Sequence, residues 1–340
     1  MSAVPPRRTA AIPGWTLALA LAALLALRLA HLGGPLDDPH SWRQCDTFEA
    51  TRAYWRGGVD LLHPSVAWLG AHRTLIFEFP LPEALAALVD RVTGLTPTAD
   101  RVVTLAFFLL ALWTLHRLAR ELAGPRAAWA AALAYAASPL AVYYSRAATV
   151  DFAAQACAQG FLLFALRAAR GGPRLAPAAL AAVCGALAAM IKGPYLGPVL
   201  VPLALAALAA DAAGRWAAGA ATAVAAAAFV VWRGQVNLVN AAAPDWTWLP
   251  GYYKEVNPWW WYVGSLHQRL AVGEWAKLGK RLVFEVASPA GAVLAACGLG
   301  GPGGDAAAAA RRGPNPVAFA LAWLAGAGAY LLVFFPLNVL

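Results

Sequence analysis

The chain has 340 residues, 61% of them hydrophobic and only 13% charged, with a net charge of +9 and a mean hydropathy of +0.59. Soluble proteins carry about 25% charged residues, so most of this surface does not face water, and a soluble globular enzyme is excluded. Four cysteines, three inside apolar runs (Cys157, Cys184, Cys297) and one in a polar stretch (Cys45), form neither a disulfide framework nor a CxxC or Cys/His zinc spacing.

Apolar runs long enough to cross a bilayer as helices recur along the chain. Spans are predicted at 12–32, 101–116, 127–144, 152–168, 176–191, 195–210, 216–232, 285–300 and 316–335. The expected fold is all-α: a single polytopic transmembrane domain over 1–340. The first run follows MSAVPPRR, is too long for a cleavable signal and lacks a small-residue cleavage site, so it reads as a signal anchor.

Two segments between spans are long, 33–100 and 233–284. In the first, HSWRQCDTFEATRAYW (His40–Trp55) contains a D-x-x-E variant of the capping box, which predicts a helix from about Asp46 to Trp55 with Asp46 as N-cap. Next, LIFEFPLPEALAALV places Glu78 just before Phe79-Pro80, at the mouth of a helix over Pro80–Val92. That helix carries Glu83 and Asp90 and is short, so it is expected to lie at the interface rather than to span. In SPLAVYYSRAATVDFAAQA a span ends near Tyr144, a short turn holds Arg146, and Asp151 opens the next span. In AAMIKGPYLGP, Lys192 ends a span that turns through Gly193-Pro194. The second long segment holds DWTWLPGYYKEVNPWWWYVGSLHQRL; it reads either as an interfacial aromatic belt or as a lid that docks beside a lipid or a sugar.

With the N-terminus in the cytoplasm, the cytoplasmic pieces hold Arg7, Arg8, Arg117, Arg120, Arg126, Arg167, Arg170, Arg174, Arg215, Arg311 and Arg312, whereas the outward turns 145–151 and 192–194 hold only Arg146 and Lys192. This is the positive-inside pattern. Of the seventeen acids only Glu121, Asp211 and Asp305 face the cytoplasm in this arrangement. The basic charge is therefore a topology signal, and nucleic acid is not an expected partner. The expected location is the inner (plasma) membrane, in several passes.

Each singled-out residue has a plain alternative: Asp46 a helix cap, Glu78 a solvated loop acid, Asp151 a charge at a helix N-terminus, Lys192 a snorkelling lysine. Together Asp46, Glu78, Arg146, Asp151 and Lys192 fall on one side of the membrane at helix ends. That placement suits a site where a lipid-bound phosphate, anchored in the bilayer, meets a polar acceptor from the outer water.

The pieces HSWRQCDTFEATRAYWRGGVDLLHP, FEFPLPEALAALV, PLAVYYSRAATVDFAAQACAQGFLLFALRA and AAMIKGPYLGPVLVPLAL resemble the GT-C fold glycosyltransferases of the dolichyl-phosphate-mannose protein mannosyltransferase type, a superfamily that includes the bacterial aminoarabinose transferases. The resemblance covers about 35 to 205 and implies juxtamembrane helices in a catalytic outer loop, 33–100, and a sugar donor carried on polyprenyl phosphate. It further implies Asp46 as the catalytic acid of that loop, Glu78 and Asp151 as the acids that in some members help hold a divalent ion, and Lys192 beside the donor phosphate. One position departs: the aminoarabinose enzymes carry Lys between the acid and Pro, where this chain has Phe79, so Arg43 or Arg146 is expected to supply that charge. Family members usually continue past the last span seen here, so the chain is expected to be part of a longer protein. The resemblance does not specify the acceptor. Two rival classes remain, a transporter or flippase of lipid-linked sugars, and a non-catalytic membrane assembly protein.

Overall fold

In a computed structural model of the chain, residues 12–30, 32–36, 41–69, 74–244, 263–299 and 315–334 are described. The described residues are helical apart from turns and one isolated bridge between Ser65 and Thr74, as expected for an all-α bundle. Of the aromatic stretch 245–270, read as either a belt or a lid, residues 245–262 lie outside the described residues.

Helix α1 (Gly14–Ala26) is shorter than the predicted span. Arg28 ends it: this side chain is fully buried, donates to Leu24 O at 2.6 Å and to Ala136 O at 2.7 Å, and stacks over Phe108. A buried guanidinium needs such acceptors, and reaching them turns the chain out of the helix. Helices α2 (Ser41–Gly57) and α3 (Leu81–Thr93) form a layer on the first turns of α4 (Pro97–Ala123). The connection into α2 is held by Arg101, which donates to the carbonyls of Leu32, Gly34 and Pro35.

The predicted span 127–144 is broken. Helix α5 (Pro125–Ala137) stops at Ser138, whose ψ is 123°, and α6 (Pro139–Tyr144) continues at a new angle. Pro139 causes the break, because a proline ring excludes the preceding residue from helical geometry. Helix α7 (Asp151–Ala169) is the central post, buried on nearly every face.

Helix α8 (Leu175–Lys192) reaches the far end, turns through a 3-10 segment (Gly193–Leu196) and returns as α9 (Gly197–Leu208). A continuous helix from Leu175 to Leu208 would be about 51 Å long, yet Arg174 and Asp211, just beyond its ends, form an ion pair at 2.6 Å. The segment is therefore a hairpin, as the two predicted spans require. Asp211 also caps α10 (Ala212–Ala241), accepting from Gly214 N at 2.8 Å. Further along come α11 (Leu266–Leu270), α12 (Val272–Arg281), a π turn (Leu282–Ala287), α13 (Pro289–Leu299) and α14 (Pro316–Val333). The chain bends by 48° at Ser288, which has φ 51° and again precedes a proline.

Helices α4, α7, the α8–α9 segment, α10 and α14 are long and apolar enough to cross a membrane. Glycines set the closest approaches: a Cβ on Gly298 of α13 would collide with the backbone of Ala130 in α5, and one on Gly326 of α14 would lie 2.6 Å from Pro198 O. The bundle has two polar ends. At one, Glu121 pairs with Arg167 at 2.5 Å and Arg170 at 3.5 Å, alongside Arg174–Asp211. At the other stand Asp151, Lys192 and the α2–α3 layer.

Candidate functional site

Asp46 lies in the middle of α2, five residues past its first residue, and is not the N-cap expected from the D-x-x-E pattern. What fixes α2 is its buried face, Gln44, Thr47, Thr51 and Tyr54. Gln44 accepts from Ala148 N at 3.0 Å in the turn before α7, Thr51 donates to Asp100 of α4 at 2.6 Å, and Trp55 Nε1 donates to Asp90 O of α3 at 3.2 Å. These tertiary bonds carry the helix back to Ser41 and leave Arg43 and Asp46 facing the segment that precedes α3.

That segment is pinned from two sides. Ile76 N donates to Asn240 Oδ1 at 2.8 Å, Asn240 Nδ2 donates back to Ile76 O at 2.8 Å, and Phe79 N donates to Met190 O at 3.3 Å. Glu78 is thereby held opposite α2, and its carboxylate accepts from the guanidinium of Arg43. Phe79, the departure noted above, packs edge-on against Trp232 at 5.1 Å and serves the apolar core; the cation beside Glu78 is Arg43.

Asp151 opens α7 and Lys192 closes α8. The Oδ1 atom of Asp151 accepts from Lys192 Nζ at 2.7 Å and from the Tyr195 hydroxyl at 2.8 Å. The two pairs are neighbours: the Arg43 charge acts on Asp151, and the Glu78 charge acts on Lys192. Beside them Arg43, Asp46, Glu78 and Glu83 line a cavity of about 30 Å³, together with Phe77 and Pro80.

The structure thus gathers Arg43, Asp46, Glu78, Asp151 and Lys192 at one end of the bundle. It does not bring Arg146 into that group. Arg146 donates to Ala30 O at 3.2 Å and adjoins the buried Arg28, toward the end of α1.

The electrostatics sort the site. Burial raises the Asp46 carboxyl, Arg43 draws it down and Glu78 pushes it up, leaving it above the ordinary aspartate value. A capping carboxylate would be acidified by backbone N–H groups; Asp46, inside the helix, caps nothing and stays the more basic for it. Burial disfavours the Arg43 charge, but Glu78 outweighs it and holds Arg43 firmly protonated. Burial, then the charges of Glu78 and Asp100, push Glu83 up to about 8, against the opposing pull of its own backbone N–H and of Arg43.

The two acids expected to share a divalent ion are each engaged by a cation of this chain, Glu78 by Arg43 and Asp151 by Lys192. Among the described residues no group of three or more His, Cys, Asp or Glu side chains is arranged to hold a metal. A divalent cation placed between Arg43 and Lys192 would meet both positive charges, so these donors do not fit one in this arrangement.

The sequence analysis missed Tyr195, Glu83 and the Thr51–Asp100 bond. Tyr195 was within reach, three residues past Lys192 in KGPYLGP. In the sequence, Glu83 marks its helix only as one that lies at the interface.

Residues 78–233 match the family model described as dolichyl-phosphate-mannose-protein mannosyltransferase. The fold is similar to the crystal structure of ArnT from Cupriavidus metallidurans in the apo state, with a TM-score of 0.51 and 18% sequence identity over 92% of this chain and 59% of that one. The chain thus spans about three-fifths of the length of that structure. No curated protein matches it.

Proposed function

We propose that this chain, a GT-C membrane protein by its fold and by its family match over 78–233, transfers a sugar from a polyprenyl-phosphate donor to an acceptor on the outer side of the membrane. The observation that carries this reading is the pairing of Arg43 with Glu78 and of Lys192 with Asp151 around Asp46, at the end of the bundle opposite the arginine-rich one.

The reaction asks for three things. The acceptor hydroxyl oxygen forms a bond to the anomeric carbon while the bond from that carbon to the phosphate oxygen breaks, its electrons leaving with the lipid phosphate. Asp46, kept basic by burial and by Glu78, takes the hydroxyl proton. Lys192 and Arg43 offset the charge on the departing phosphate through charge-assisted hydrogen bonds; each does so by shifting from its carboxylate partner toward the phosphate. Tyr195 keeps a hydrogen bond on Asp151 while Lys192 moves.

The test is transfer from a polyprenyl-phosphate sugar in membranes holding the intact chain, compared with Asp46→Asn. Turnover by the variant equal to that of the parent chain overturns the reading. The side is tested by a membrane-impermeant thiol reagent at Cys45, which is exposed on α2: modification from the outer face is expected, and modification only from the cytoplasmic face overturns the outer acceptor.

A further inference from the structure

Glu83 is the one titratable side chain lining the small cavity that the proposed chemistry does not use. It lies in the first turn of α3, its residue is 6% exposed, and its Oε2 atom is fully enclosed without a hydrogen-bond partner. It shares the cavity with Arg43, Asp46 and Glu78. A charge on an enclosed oxygen without a partner is costly, which favours the neutral acid, and every other polar group of the cavity wall has a role or an ion-pair partner.

The groups that face Glu83 determine its protonation. From α2 come Arg43, Asp46 and the buried Tyr54; from the segment before α3, Glu78; from α4, Asp100. Three of these are acids, and the one cation is already taken by Glu78. Burial among acids favours the neutral carboxyl, in line with the value of about 8. A neutral carboxyl carries a proton it can donate, whereas an ionised one only accepts.

We infer that Glu83 is a positioning residue: its carboxyl donates a hydrogen bond to a hydroxyl oxygen seated in the Arg43–Asp46–Glu78 cavity and so orients that hydroxyl toward Asp46. The inference rests on the transferase reading for the identity of the hydroxyl, and on the structure alone for the neutral donor. With donors on one side and the Asp46 acceptor on the other, a hydroxyl in the cavity has both its lone pair and its proton engaged. Ionisation of Glu83 would remove the donor and set a third negative group, after Asp46 and Glu78, against the same oxygen.

The pH profile of transfer tests this with the full chain in membranes. The parent chain is expected to lose activity above about pH 8, by about tenfold per pH unit. Glu83→Gln keeps an uncharged donor, so it is expected to stay within about threefold of the parent near neutrality and to lack the alkaline limb. Glu83→Ala is expected to lose about tenfold or more at all pH values. A Gln variant with the parent's alkaline limb, or an Ala variant with parental activity, overturns the inference. Infrared difference spectra of the purified chain supply a readout independent of transfer: a protonated-carboxyl carbonyl band present at neutral pH, bleached as the pH rises through about 8, and absent in Glu83→Gln. Absence of that band overturns the neutral donor whatever the transfer assay gives. A band without transfer by the parent chain overturns the transferase reading and leaves the neutral carboxyl standing.

Discussion

Lys192 and Asp151 join the last residue of α8 to the first of α7, with Nζ and Oδ1 2.7 Å apart, and the Tyr195 hydroxyl sits on the same oxygen at 2.8 Å. The carboxylate therefore has two donors, one charged and one neutral. Withdrawal of the lysine toward a ligand would not strand it.

Removing the lysine outright is different. Its side chain is 36% exposed and that of Asp151 27%, so Lys192→Met should lower stability by about 1–3 kcal/mol, below the value for fully buried pairs. Adding Asp151→Asn should restore most of that loss in thermal unfolding. It should not restore use of the lipid donor, whose apparent affinity is measured in detergent. Recovery of both in the double variant would remove Lys192 from the phosphate site.

Asp46→Asn should leave stability within about 0.5 kcal/mol of the parent, because the residue sits mid-helix and caps nothing. Transfer should fall by about 10²–10⁴-fold with loss of a general base. A large fall in thermal stability would assign Asp46 a structural role instead.

The acid limb of transfer should move with the neighbours of Asp46. Its carboxyl is raised, so as the pH falls it takes up a proton earlier than an ordinary aspartate, and base function is lost from a higher pH. Glu78→Gln removes a charge that raises it and should shift the limb to lower pH; Arg43→Met removes a charge that lowers it and should shift the limb to higher pH. Rate profiles of the residual activity read both shifts, and a limb that stays put in both variants would separate Asp46 from this pair.

At the far end, Glu121 accepts from Arg167 at 2.5 Å, with Arg170 at 3.5 Å and Arg117 at 3.8 Å. Glu121→Gln leaves three guanidiniums without their common anion and should cost about 1–3 kcal/mol in unfolding. The kinetic constants for transfer by the folded fraction should be unchanged. An altered donor affinity would mean that the two ends communicate.

Much of this layout was legible because charge is scarce in an apolar chain. Asp151 and Lys192 stood out at the ends of long runs, and Glu78 stood out before Phe79-Pro80. The arginines of the far end told the two ends apart. What misled was local pattern where tertiary contact decides. The D-x-x-E at Asp46 looked like a cap, but Gln44 and Thr51 anchor α2 through partners 104 and 49 residues away. Both broken spans have a residue just before proline at the break, Ser138 and Ser288, yet the apolar count ran through them. Glu83 was hidden for another reason: spacing showed an amphipathic helix, but not that its first acid turns inward among Arg43, Glu78 and Asp100.

The glycine contacts bear on traffic through the bilayer. Where Gly298 rests on Ala130 and Gly326 on Pro198, backbone meets backbone with no width left for a hydrocarbon tail. Those two seams, α5 with α13 and α9 with α14, are shut to lipid. On the proposed function, a long isoprenoid chain would approach Lys192 from another quarter, and the flank where Leu88 and Val92 of α3 stand off from Leu110 of α4 leaves an apolar trough open at the protein surface. Side-chain bulk, or its absence, thus sets the doors of this bundle as well as its walls.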